Sequence, residues 1–180
     1  MRSKIQESIE IPEGIECTFS DRAIKCKSSD LEISRSVTTP TIQVKIEKNQ
    51  LTLFVLKGNK KEYKIIKTLI SHLKNTFSGL KEKFVYELES ANVHFPMTLK
   101  VEPGLLIINN FLGEKVPRTA KILPNVEVKV EGQTIIVSSN DREAAGQTAG
   151  NFEKATKVHN RDRRVYQDGI YITKKAGKEI

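Results

Sequence analysis

Cysteine is scarce: only Cys17 and Cys26 occur in the 180 residues. A four-cysteine zinc site is thereby excluded, which leaves a disulfide, a metal site shared with histidine, or plain core packing. If Ser20 to Ala23 is a tight turn, the two thiols face each other across a hairpin. In a reducing compartment a pair of small buried thiols is then expected. His72, His94 and His159 are scattered, with no spaced partner among themselves or with a cysteine, so neither a metal nor a cofactor is expected. No apolar run approaches the roughly 20 residues that span a bilayer. The opening MRSKIQESIEIPEGI alternates polar and apolar residues and has no signal-peptide h-region, so a cytoplasmic protein without a membrane partner is expected. Catalytic spacings are missing as well: there is no GxSxG, no GxxxxGK followed by Ser or Thr, no HExxH and no CxxC. Neither an enzyme nor a small-molecule substrate is expected.

What is present is positive charge. A net charge of +8 and a pI near 9.4, with 38% hydrophobic and 29% charged residues, describe an ordinary folded chain that seeks an acidic partner. Strand-like alternation opens the chain in IQESIEI and continues in IECTFS and AIKCKS, a hairpin around Asp21 and Arg22. DLEISRSV follows, then IQVKIEK and LTLFVLK, a second hairpin around Asn49. At Asn59 the period changes to helical: Ile65, Ile66, Leu69, Ile70, Leu73, Phe77 and Leu80 share one face. Asn59 with Glu62 predicts the N-terminal cap, and Gly79 the end. Lys60, Lys61, Lys64, Lys67 and Lys74 lie largely off the stripe and form a solvated face.

The second half repeats this order. FVYELESANV, MTLKVE, LLII, VPRTAKI, VEVKVE and TIIVS read as strands, and a helix is predicted from Asn140 with Ala145, Ala149, Phe152 and Ala155 inward. QVKIEKNQLTLFV at 43–55 parallels EVKVEGQTIIV at 127–137, and Asn59 and Glu62 parallel Asn140 and Glu143, with offsets of 81 to 84 residues. A shared offset through a hairpin and a helix start argues for duplication. The expected fold class is α+β: two tandem similar domains, 1–82 and 83–180, each an antiparallel β-sheet with one helix packed on a face.

Arginine separates the halves. Arg2, Arg22 and Arg35 stand in the first, against Arg118, Arg142, Arg161, Arg163 and Arg164 in the second. Arginine holds phosphate with fixed fork geometry, so the stretch KVHNRDRRVYQDGIY at 157–171, with Asn160 and Tyr166, is the expected RNA-facing surface. Gly146 and Gly150 interrupt the second helix at roughly 1 kcal/mol each relative to alanine. Either the helix packs tightly on the sheet there, or RNA or a neighbouring protein approaches AAGQTAGN, touching Gln147, Thr148 and Asn151.

NRDRRVYQDGIYI at 160–172, HFPMTLKVEPG at 94–104 and IINNFLGEKVPR at 107–118 resemble, in long ungapped blocks, the sixth universal protein family of the large ribosomal subunit. The arginine segment departs from the bacterial pattern, so the resemblance is to the archaeal and eukaryotic branch. It implies a structural constituent of the large subunit that binds large-subunit ribosomal RNA near the stalk base and the sarcin-ricin loop. Neighbouring ribosomal proteins and nearby translation factors are the implied partners. The second domain would be the main RNA-binding half and the first a brace. The RNA-contacting residues expected on these grounds are Asn109, Asn110, Gly113, Lys115 and Arg118, then Gln147, Asn151, Lys154 and Lys157, and finally Asn160, Arg161, Arg163, Arg164, Tyr166 and Gly169. A free-standing RNA-binding module and an RNA-processing enzyme are the alternatives.

Overall fold

Alternating polar and apolar residues build short antiparallel strands over much of the chain, and two amphipathic segments build helices. The structure is a computed structural model that describes residues 3–28, 31–37, 39–47 and 49–180; Arg2, counted among the arginines of the first half, lies outside the described residues. The chain divides into two units, 1–82 and 83–180.

The first unit holds β1 (Ser3–Glu10), β2 (Glu16–Ser20), β3 (Ala23–Lys27), β4 (Glu32–Ser36), β5 (Gln43–Glu47), β6 (Gln50–Gly58) and α1 (Lys60–Lys81). Its strands form two sheets, ordered β1-β6-β5 and β2-β3-β4. Leu51, Leu53 and Val55 alternate inward from β6 and meet Ile66, Leu69, Ile70, Leu73 and Phe77 of α1 in one core. Burying such side chains stabilises by about 1.5–3 kcal/mol each before chain entropy is counted. Asn59 caps α1 through the amides of Lys61 and Glu62, and the Glu62 carboxylate returns to the Asn59 amide at 2.9 Å. Gly79 does not end this helix: it is buried inside the last turn, and the cap is Glu82. Lys60, Lys61, Lys64, Lys67 and Lys74 of α1 are all exposed, and Lys67 pairs with Glu7 at 2.7 Å.

The second unit holds β7 (Phe84–Ala91), β8 (Thr98–Glu102), β9 (Leu105–Asn109), a 3₁₀ turn (Phe111–Gly113), β10 (Arg118–Lys121), β11 (Glu127–Glu131), β12 (Thr134–Ser139), α2 (Arg142–Ala155), β13 (Gly169–Lys175) and β14 (Lys178–Glu179). The order β1-β6-β5 recurs as β7-β12-β11, and β2-β3-β4 recurs as β8-β9-β10. Register recurs with it: Ile5 opposite Val55 becomes Tyr86 opposite Val137. Each unit is thus one helix with its strands shared between two sheets. α2 starts one residue later than the sequence predicts, because Asp141, rather than Asn140, accepts from the Glu143 amide as the cap.

β13 sets the second unit apart. It pairs antiparallel with the free edge of β7 and, with β14 on its far side, makes that sheet five-stranded. The segment 156–168 is therefore the connection from α2 back to its own sheet. Thr156 ties the two ends together, its hydroxyl accepting from the Ile170 amide at 2.8 Å and donating to the Phe152 carbonyl.

Candidate nucleic-acid interface

Three connections converge at one end of the second unit: 92–97, 110–117 and 156–168. Asp168 anchors the first to the third. Its buried carboxylate, 1% exposed, accepts from the amides of Val93 and His94 at 2.8 Å each and from His94 Nδ1 at 2.5 Å. Burial works against the charge of Asp168, but the His94 amide, the His94 ring and the Val93 amide together hold the carboxyl below its usual range. The His94 ring in turn packs against Tyr166 at 5.1 Å, and the Arg161 guanidinium lies 4.8 Å from the same tyrosine.

Arg118 fastens the second connection to the third. Its Nε and Nη2 donate to Glu114 at 2.7 and 2.5 Å, and Nη1 donates to the carbonyls of Ala155 and Lys157 at 2.9 and 3.4 Å. A fork at the C-terminal end of α2 neutralises carbonyls that the last turn leaves unpaired. The guanidinium also covers the buried Phe111 ring at 4.2 Å, which pins the 3₁₀ turn. Arg118 holds Glu114 below the usual carboxylate range against the opposing effect of burial, and the charge of Arg161 acts in the same direction as Arg118. Arg118 therefore organises the interface from within.

The other expected residues divide in the same way. Asn110 takes a left-handed φ of 59° and donates to the Pro96 carbonyl at 3.0 Å. Gly113, at φ 77°, faces the Phe95 ring, and Asn109 ends β9 opposite Thr98. Gln147 donates to Asn151 at 2.9 Å, and Asn151 donates to the Lys121 carbonyl at 2.9 Å, so this pair fastens α2 to β10. Gly169 is buried in β13 beneath the Tyr171 ring. Asp162 shapes the basic turn: its carbonyl accepts from the amides of Val165 and Tyr166, and its carboxylate grips Arg164 at 2.8 Å, which holds Asp162 below its usual range.

Turned outward are Lys115, Lys154, Lys157, Asn160, Arg161 and Arg163. Among the described residues, Lys115, Lys154, Lys157 and Arg163 meet no carboxylate, so their charge is open to a partner. Val93, Val116 and Val165 are exposed at the same end. Among the described residues no group of three or more His, Cys, Asp or Glu could hold a metal ion, and no helix is long and apolar enough to cross a membrane.

Residues 95–169, which contain nearly all of this surface, match the model of the family described as ribosomal protein L6. The large ribosomal subunit protein uL6 of Methanococcus vannielii is 41% identical over 176 residues, covering 98% of this chain and 97% of the relative. That of Methanosarcina mazei is 40% identical over 176 residues, covering 98% and 100%. The chain belongs to the ribosomal protein L6 family.

This is a family of ribosomal proteins, not of enzymes. The L6 match begins at Phe95 and ends at Gly169, so it runs from the first of the three connections to the first residue of β13. The residues that sequence reasoning passed over are His94 and Asp168. They are 74 positions apart and carry no local signal as a pair; only the two family-like blocks in which they sit point to them.

Proposed function

We propose that this chain is a structural component of the large ribosomal subunit that binds large-subunit ribosomal RNA through the loop end of its second unit. One observation carries the reading: three connections, locked together by Asp168 and Arg118, present Lys115, Lys154, Lys157, Arg161 and Arg163 outward from one end, and among the described residues none of the five is ion-paired with a carboxylate. Clustered cations on a locked backbone suit a phosphate backbone, since connections already held in place lose little entropy on binding. The kinship supplies the assembly, because the two relatives above are named as large-subunit proteins. The family resemblance supports a contact near the stalk base and the sarcin-ricin loop, beside neighbouring ribosomal proteins and close to translation factors, within cytoplasmic ribosomes. The first unit, with few arginines and a solvated lysine face on α1, is the brace.

Ultraviolet crosslinking in cell extract, with mass spectrometry of the crosslinked peptides, tests this reading. Crosslinks from large-subunit ribosomal RNA should fall in peptides spanning 107–118 and 147–167. Crosslinks concentrated on residues 60–74, or spread over many RNAs, would instead mark a general RNA-binding module.

A further inference from the structure

A cleft of about 590 Å³ opens between the C-terminal half of α2, the connection 156–168 and the start of β13. That volume lies within the roughly 300–1,000 Å³ usual for small-ligand sites. Two tyrosines, Tyr166 and Tyr171, stand in its wall beside the cations Lys154, Lys157 and Arg163. Gly150 also lines it, and a Cβ added there would meet no atom within 4 Å outside its own stretch of helix backbone. Gly146 differs: a Cβ there would come within 3.1 Å of the Tyr86 hydroxyl, so close packing explains that glycine. Nothing inside the protein requires glycine at 150, and its effect is to leave helix backbone open to the cleft.

One carboxylate, Glu153, stands among the cations of the wall, and among the described residues it has no ion-pair partner. A phosphate would not recruit it. A base edge carrying two adjacent N–H donors would, and among the four bases guanine presents that pattern on its Watson–Crick edge through N1–H and the N2 amino group. Unstacked bases are read in this manner, by stacking on aromatic rings and by hydrogen bonds to their Watson–Crick edge. The carbonyls at the end of α2 would repel a nearby phosphate, but Arg118 and Thr156 already engage them.

We propose that this cleft takes a single unpaired guanosine nucleotide, with its base against the tyrosines and Glu153 and its phosphate on Lys157 and Arg163. The inference rests on the RNA reading above and adds that the second unit reads one extruded base as well as backbone. The same chemistry could come from a free nucleotide, so the test separates the two sources. Amide NMR of the full chain is followed during titration with guanosine 5′-monophosphate and with adenosine 5′-monophosphate. In parallel, filter binding measures affinity for an in vitro large-subunit ribosomal RNA transcript. The guanosine nucleotide should give saturable shifts at 150–158 and 163–171 and bind at least fivefold more tightly than the adenosine one. Glu153→Gln should shrink that preference below twofold. Gly150→Leu, which fills the cleft with a good helix former, should weaken binding of the guanosine nucleotide and the transcript at least tenfold while the circular dichroism spectrum is kept. Unsaturable shifts, or equal affinity for the two nucleotides, with the transcript still bound would overturn this inference and leave the RNA reading standing. Saturable guanosine binding with no transcript binding would overturn both the RNA reading and the assignment of an RNA nucleotide to the cleft.

Discussion

At the scale of single residues, Asp168 and Arg118 matter most because each joins connections far apart in sequence. Asp168→Asn keeps the shape but loses the charge that three donors address, and should cost about 2 kcal/mol in urea unfolding at pH 7. The folded pKa of Asp168 is depressed, so its contribution is fully present above the unfolded value of about 3.9 and lost as pH falls through the lower folded value. The native chain and D168N should therefore converge in stability as pH falls through that lower folded value. A constant gap from pH 7 to pH 2 would contradict this assignment. Arg118→Lys keeps the charge but not the fork, and should cost about 1–2 kcal/mol while weakening RNA binding through a loosened 110–117 connection. Native stability in R118K would mean that the fork is idle.

At the scale of elements, the glycines of α2 make opposite predictions. Gly150→Ala should raise the melting temperature, by about 0.5–1 kcal/mol of helix propensity, since the added methyl meets nothing. Gly146→Ala should gain nothing or lose stability, because Tyr86 stands in the way. Calorimetry of the two variants separates the cases, and equal shifts would refute the packing account. The β2–β3 hairpin carries another test. Asp21 and Arg22 both take positive φ, 51° and 58°, and close a two-residue turn that sets Cys17 opposite Cys26 with a sulfur–sulfur distance of 3.3 Å. Both thiols are free; the contact with Cys17, together with burial, pushes the Cys26 thiol up. Diamide should therefore oxidise the pair within one chain, removing both free thiols in a titration and leaving the fold intact. Intermolecular dimers in place of that bridge would show that the hairpin register is wrong.

At the scale of the whole molecule, the duplication supplies two copies of one architecture, and the second adds the strands β13 and β14. Because β13 returns to β7, the second helix needs a connection back across its own sheet, and the basic segment is that connection. Arg161, Arg163 and Arg164 changed together to alanine should abolish ribosomal RNA binding at physiological salt with the fold retained. Within the triple change, Arg164 should matter least, since its fork already holds Asp162. Removal of one phosphate-binding cation should lower the salt slope of log affinity by roughly 0.7–0.9. Survival of binding in the triple variant would remove this segment from the interface.

The strands, the helix stripes, the capping box at Asn59 and the repeated order were legible in the sequence, because period, caps and turn residues act over a few positions. The strand reading stops before α2 and omits β13 and β14, and the local rules also fail at helix ends. Gly79 is taken into the last turn of α1, where burial outweighs propensity, and the second cap fell to Asp141 beside Asn140. The basic segment was legible as composition, yet composition does not show which cations are already engaged. Tertiary structure decided that Arg118 faces inward, that Gln147 and Asn151 brace α2 against β10, and that Gly150 opens onto a cleft while Gly146 does not. It also decided that a carboxylate at 168 holds the amides of 93 and 94. The reason is physical: each of these outcomes depends on pairing across dozens of residues, and the energy of such a pairing is set by geometry that no local pattern encodes.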